Sequence, residues 1–268
     1  MERLAHLIQE RMSGGDWKPI KLCKNGPPIS HLFFADDIIL FAEASLCQAE
    51  EINNCLEEFC RSSGLKVNTS KTRVFFSKNV NHNRRQELSG SLRFQIAVDL
   101  GKYLGVVLHH NKVKTESFHT VIDKVKFRLQ GWKMNSLSLA GRTTLISAVT
   151  SAIPKYTMQT SYLPQEACNR MEKCNRDYLW GSSQDKRKPH LVAWDSVCKP
   201  KSEGGLGLRK MKVQNKAYMM KLGWKLMNRR DDLWVKVIRS KYKCGNDLVP
   251  VIDHKRPGSN TWLDIRNN

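Results

Sequence analysis

Residues 29–42 read ISHLFFADDIILFA, an acidic pair, Asp36 and Asp37, with apolar residues on both sides. Two short strands joined at that pair are predicted, which makes a hairpin with carboxylates at its tip. Adjacent carboxylates repel when both are ionised, and strands this apolar ordinarily close with Asn-Gly or Asp-Gly. A divalent cation would compensate the charge. Mg²⁺ takes carboxylate oxygens and keeps other positions for substrate phosphates, and a metal pair about 3.5–4 Å apart activates an attacking oxygen and stabilises a leaving one. That is the chemistry of nucleotidyl transfer and phosphodiester cleavage. On these residues alone a solvated Asp-Asp turn is the more ordinary reading, and it stays open.

Upstream of the pair, Leu4, Leu7, Ile8 and Met12 recur at helical spacing until Gly14-Gly15, with no capping residue ahead of them. Downstream, Leu46, Ala49, Ile52, Leu56 and Phe59 mark one face of a helix that ends near Gly64, and LKVN, RVFF and YLGVVL add short strand-like runs. Residues 1–110 are therefore expected to mix α and β. After His110 the pattern turns helical. Phe118, Val121, Ile122, Val125, Leu129 and Trp132 form one stripe, and Leu145, Ile146, Val149, Ala152 and Ile153 form a second that stops before Pro154. Val213, Ala217, Met220, Trp224 and Met227 form a third, expected to be core, with Lys212, Lys216 and Lys225 off the stripe. The polar stretch 182–189, SSQDKRKP, is the linker candidate. EGGLGLRK lacks a preceding strand and the spacing of a nucleotide-binding loop, so it is expected to be a turn opening a helix. His109-His110 has no second ligand group at metal spacing.

The charge is unevenly spread. Residues 1–110 hold 14 basic and 12 acidic side chains, net +2, whereas residues 111–268 hold 31 and 13, net +18, out of +20 for the whole chain. A polyanionic partner is implied, bound through the C-terminal half. The 268 residues and their 40% hydrophobic content suffice for a real core, which excludes a disordered basic tail. No apolar run reaches the length of a membrane span, and the first residues have no signal-peptide core, so a soluble intracellular chain is expected. The eight cysteines contain no C-x-x-C pair, so no zinc site or disulfide framework is expected, and Cys55, Cys60, Cys168 and Cys174, which lie in helix-like stretches, are read as small buried hydrophobes.

These segments together resemble the reverse transcriptases of non-LTR (LINE-type) retrotransposons in their plant form. ISHLFFADDIILFAEAS resembles the catalytic hairpin, GLKVNTSKT (64–72) the next palm motif, and KYLGVVL (102–108) the primer grip. LQGWKMNSLSLAGRTTLISAVTSAIPKYTMQTSYLP resembles the thumb, and YLWGSSQDKRKPHLVAWDSVCKPKSEGGLGLRKM the region that connects it to a zinc-binding segment and, in many plant copies, a ribonuclease H domain. The motifs occur in family order over nearly the whole chain.

The resemblance implies an α+β fold: a partial palm over residues 1–110 (catalytic hairpin, helix, short strands), a thumb-like helical region over 111–165, and a basic helical connecting region over 166–268. Asp36 matches the metal-ligating aspartate and Asp37 its companion. Lys71 matches a palm lysine that positions or protonates the departing pyrophosphate, though as bare sequence it is a solvated turn lysine. Tyr103, Leu104 and Gly105 match the primer grip, which read without the family is a strand with a glycine bulge. Lys124, Lys126, Arg128 and Arg142 lie in the thumb-like part, where they would contact template-primer phosphates, though as bare sequence each is equally a solvated side chain. The implied cofactor is Mg²⁺. The implied partners are an RNA template, a DNA primer or RNA–DNA hybrid, and deoxynucleotides, with the nucleus as location and no membrane.

The family also needs an aspartate on an earlier strand, fingers and a glycine-proline motif. The earlier acids here are Glu2, Glu10 and Asp16, and Asp16 lies in a Gly-Gly-Asp-Trp turn. The expectation is therefore a fragment, inactive alone in RNA-directed DNA synthesis. The alternatives are a basic nucleic-acid-binding protein without catalysis, or a degenerate retroelement product with no selected function.

Overall fold

The computed structural model describes residues 1–99, 101–108, 115–130, 137–182, 188–245, 247–251, 258–259, 262–263 and 265. Trp132, His109-His110 and residues 183–187 of the linker candidate lie outside them. The chain divides into two compact units, residues 1–110 with 239–243, and residues 111–238 with 244–268. Helices dominate, and the few strands are short, an α+β composition.

The first unit is organised on two helices. Helix α1 (Glu2–Gly14) buries Leu4, Leu7 and Ile8 and is stopped by Gly15, whose φ of 84° is the left-handed conformation glycine adopts freely. Strands β1 (His31–Phe34) and β2 (Asp37–Leu40) follow, then α2 (Leu46–Ser63). The Ser45 side chain accepts a hydrogen bond from the Gln48 N–H at the start of α2, and Gly64 ends the helix at φ 72°. One side of α2 closes a core of Leu4, Leu7, Ile8, Trp17, Cys55 and Phe59, on which Phe33 and Leu40 of the hairpin pack. Arg11 ties α1 to α2 by pairing with both Glu51 and Glu58. The buried Gln48 amide receives the Lys18 N–H at 2.7 Å and donates to the Asp16 carbonyl at 2.5 Å, which fixes the loop leading into the hairpin.

The other side of α2 meets α3 (His82–Leu92) through Ala49, Leu88 and Leu92. Helix α3 left little trace in the sequence, because only Leu88 and Leu92 of its eleven residues are buried apolar groups. The strand-like runs are corrected. LKVN is irregular. RVFF contributes only β3 (Arg73–Val74), paired parallel with β4 (Gln95–Ile96). YLGVVL is a miniature hairpin, β5 (Lys102–Tyr103) against β6 (Val106–Val107), and contains no bulge. Leu104 at φ 50° and Gly105 at φ 79° both take the left-handed region, the signature of a two-residue type I′ turn.

The second unit contains α4 (His119–Gln130), α5 (Leu139–Leu145), α6 (Ile153–Met158), α7 (Gln165–Trp180), a one-turn α8 (Trp194–Val197), α9 (Met211–Asn228) and α10 (Leu233–Tyr242), whose last residues belong to the first unit. Its core sets Ile122, Val125 and Leu129 of α4 with Cys168, Met171, Tyr178 and Leu179 of α7, together with Ile146, Met158, Leu163 and Met211. The buried pair Thr150 and Asn175 is satisfied internally, hydroxyl to amide oxygen at 2.8 Å. The helix carrying the second stripe stops before Pro154, as the sequence predicts, although Ile153 already opens the next helix. Residues 146–150 widen to a π-turn, with the Ser151 N–H reaching the Ile146 carbonyl at 2.9 Å, and Pro154 then falls in the first turn of α6. A helix has no use for an N–H there.

The third stripe is also corrected. Helix α9 buries Met211, Gln214, Asn215, Met219 and Leu226, while Val213, Met220 and Trp224 are 61%, 55% and 64% exposed. The cause is polar: the Asn215 amide pairs with both backbone groups of Leu163, receiving its N–H at 3.1 Å and donating to its carbonyl at 2.8 Å. That bond pair holds Asn215 inward and rotates the apolar stripe outward. EGGLGLRK is the expected turn ahead of α9, tight enough that a Cβ at Gly205 would lie 2.1 Å from the Lys199 carbonyl oxygen.

None of the eight cysteines is in a disulfide among the described residues, and Cys55, Cys168 and Cys244 are buried. Burial pushes the Cys55 thiol up to about 11 and the Cys168 thiol up to about 12, whereas Cys47 is exposed. The thiolate is the nucleophile, so at pH 8 iodoacetamide should modify Cys47 within minutes and leave Cys55 and Cys168 unmodified until urea unfolds the chain. Peptide mapping after a timed pulse reads this directly, and native modification of Cys168 at the rate of Cys47 would contradict the packing of α7.

Candidate active site and basic surface

Strands β1 and β2 pair antiparallel in the register His31 with Leu40, Leu32 with Ile39, Phe33 with Ile38 and Phe34 with Asp37. Ala35 and Asp36 form the two-residue turn, so the turn sits one residue earlier than the sequence suggested and Asp37 opens β2. Ala35 has φ 51°, a left-handed conformation that costs an L-residue about 1–2 kcal/mol. Phe33 and Leu40 turn inward onto the helical core. That anchorage leaves the tip in solvent, where both Asp36 and Asp37 are exposed and, among the described residues, neither has an ion-pair partner. The outer face stays apolar: Phe34 is 60% exposed, and Leu32 and Ile38 are also exposed.

Two neighbouring exposed carboxylates fit a hard cation that fills its remaining positions with water or phosphate oxygens. Among the described residues no three His, Cys, Asp or Glu side chains gather at metal-binding distance. Lys71 is exposed on a separate segment, in a turn that Asn68 organises. Its N–H donates to both the Asn68 carbonyl (3.1 Å) and side-chain oxygen (3.2 Å). Tyr103 ends β5 and Leu104 and Gly105 form the β5–β6 turn, in a sheet distinct from the hairpin.

In the second unit Lys124, Lys126 and Arg128 are exposed on α4, Lys124 and Arg128 opposite the buried Ile122, Val125 and Leu129 and Lys126 at the edge of that stripe. Among the described residues only Lys126 of the three has an ion-pair partner, Asp123 at 3.8 Å, and an exposed pair of that kind contributes little. Phe127, 75% exposed, stands beside Lys124 and Arg128. Sequence reading passed over it, although its position off the buried stripe was the available signal. Arg142 differs from the other three: half-buried, it donates from Nη1 to the Leu179 carbonyl at 3.2 Å and so closes the C-terminus of α7. Gly181 makes room for it, since a Cβ there would lie 2.8 Å from Arg142 Nη1 and 3.3 Å from Lys188 Nζ.

No helix among the described residues is long and apolar enough to cross a membrane. Residues 1–108, which carry the hairpin and the β5–β6 turn, match the reverse transcriptase (RNA-dependent DNA polymerase) family. An Arabidopsis thaliana protein named for ribonuclease H is 40% identical over 159 residues, 58% of this chain and 25% of that protein. An uncharacterized mitochondrial protein of Arabidopsis thaliana is 30% identical over 115 residues, 42% of this chain and 74% of that protein. The chain thus spans a quarter of the first relative and about three quarters of the second. The hairpin, the family match over residues 1–108 and these two relatives agree: the chain belongs to the plant reverse transcriptase-like proteins typical of retrotransposons.

Proposed function

We propose that the chain is the C-terminal palm (1–110), thumb (111–165) and connecting region (166–268) of a non-LTR, LINE-type reverse transcriptase, and that by itself it binds a template-primer duplex without extending it. The observation that carries the reading is the exposed Asp36–Asp37 pair at the tip of an apolar hairpin, inside the segment that matches the reverse transcriptase family. Asp36 would hold Mg²⁺ with Asp37 as its companion, and the ion, when bound, neutralises charge on phosphate oxygens. Lys71, free of secondary structure, meets the departing pyrophosphate. The Tyr103–Gly105 turn brings backbone to the primer strand. Lys124, Lys126 and Arg128 meet phosphates, and Arg142 supports that surface through its bond to α7.

The family's two-metal chemistry needs a further carboxylate beside Asp36 and Asp37, and on this reading the chain does not supply it. The purified chain should give no template-directed incorporation of deoxynucleotides on a primed RNA with Mg²⁺ or Mn²⁺, measured by extension of a labelled primer. Incorporation abolished by Asp36→Asn would overturn the incomplete-site part and mean that another residue supplies the ligand. Incorporation indifferent to Asp36→Asn and Asp37→Asn would remove the catalytic assignment. Binding without chemistry is also what a non-catalytic nucleic-acid-binding protein would do, and the +18 of residues 111–268 favours that reading if the hairpin assignment fails.

A further inference from the structure

The outward stripe of α9 has a regular spacing. Val213, Ala217, Met220, Trp224 and Met227 follow one another at intervals of four, three, four and three, the a/d repeat of a coiled-coil seam. Val213, Ala217, Met220 and Trp224 are exposed and Met227 is half-buried. The helix itself is fixed, because Met211, Met219 and Leu226 are fully buried on its opposite side and Asn215 is bonded to Leu163. The seam is therefore a preorganised surface held at one rotation, with a 64% exposed tryptophan near its middle. Exposed large apolar rows of this kind mark interaction sites, and tryptophan is the commonest anchor of such sites.

The flanking charge selects the occupant. Lys216 and Lys221 border the seam on its two sides at the g and e positions, and Lys212 and Lys225 continue the borders. A second copy of this chain would set lysine against lysine there, between molecules that each carry +20. A membrane surface calls for a broader apolar face than a strict a/d row. Among the seam residues only Trp224 has a ring on which a base can stack, so a nucleic acid would leave Val213, Ala217 and Met220 without a partner. A helix with its own apolar a/d row and Asp or Glu at e and g fits every part.

We propose that α9 is a docking site for an acidic amphipathic helix of a partner protein, which seats its apolar row on Met220 and Trp224 and pairs carboxylates with Lys216 and Lys221. The site lies outside the hairpin and outside α4, so it stands independently of the polymerase reading.

The test uses the full chain and a fluorescein-labelled three-heptad peptide with Leu at a and d and Glu at e and g, read by fluorescence anisotropy. Micromolar binding is expected, at least tenfold weaker for the double variant Met220→Gln/Trp224→Gln and for Lys216→Glu/Lys221→Glu. Both pairs are at the surface, and unchanged thermal unfolding by circular dichroism verifies the fold. A peptide with Ser replacing every Leu separates the apolar contribution from charge and should bind at least tenfold more weakly. Equal binding of the Leu and Ser peptides, or of the native chain and the Gln variant, would overturn the proposal. So would sedimentation showing a native dimer that the Gln variant abolishes, or displacement of the peptide by a single-stranded oligonucleotide whose own binding the Gln variant removes.

Discussion

Reversing Lys124, Lys126 and Arg128 to glutamate together should weaken binding of an RNA–DNA hybrid by at least a hundredfold at low salt. If the native chain neutralises about five phosphates, the log–log salt slope is about −4, and removal of three contacts brings it to about −2. Lys124 and Arg128 project from the solvent side of a helix whose other side is locked into the core by Ile122, Val125 and Leu129, and Lys126 is exposed at the edge of that buried stripe, so little order has to be gained on binding. Phe127→Ala supplies a second readout. An exposed ring between Lys124 and Arg128 suits a base plane and carries no charge, so its loss should weaken single-stranded RNA about tenfold and leave the salt slope unchanged. The control reverses Lys18, Lys21 and Lys24 in the first unit, an identical change in net charge. If that control loses as much affinity as the α4 variant, the cations of α4 act only as part of a diffuse field. Titration by anisotropy at four salt concentrations distinguishes the two outcomes.

Much of this arrangement was legible in the sequence where a single physical signal ruled. The hairpin could be read because the apolar residues flanking Asp36 and Asp37 favour extended backbone and Phe33 and Leu40 among them are covered by the helical core, and the turn was misplaced by one residue because an L-alanine at φ 51° has no sequence signature. The faces of α1, α2 and α4 followed their apolar periodicity. Strand-like runs were over-read, since Val74, Val106 and Val107 favour extended backbone yet are ordered by pairings only two residues long. Helix α3 was invisible for the opposite reason, being defined by its Asn81 cap and two leucines. At the candidate site the type and order of residues were readable, but Phe127 and the structural use of Arg142 depend on which way a helix faces, and the second depends on a carbonyl 37 residues away.

Helix α9 is the sharpest case, and it gives the largest expected effect on stability. Periodicity alone would turn Val213, Ala217, Met220 and Trp224 inward, yet the buried row includes Gln214 and Asn215. Asn215 is 1% exposed and acts as a substitute peptide group, matching the donor and the acceptor of Leu163 across 52 residues of chain. Asn215→Leu fills similar space but leaves a buried N–H and a buried carbonyl unpaired at about 1–3 kcal/mol each, so the second unit should lose about 3–4 kcal/mol. Asn215→Asp separates hydrogen bonding from packing. Its ionised carboxylate can accept from the Leu163 N–H but cannot donate to the Leu163 carbonyl, and burial disfavours the charge. The protonated acid can do both. Its folded pKa is therefore raised above the unfolded value, and stability is greatest at low pH and declines as pH rises through the folded pKa. Urea unfolding followed by tryptophan fluorescence should find the Asp variant closer to the native chain at pH 4 than at pH 7, relative to the native chain at each pH, whereas the Leu variant's deficit should not change with pH. A deficit below about 1 kcal/mol for Asn215→Leu would mean that the Leu163 pairing is not what sets the rotation of α9, and the outward stripe would need another cause.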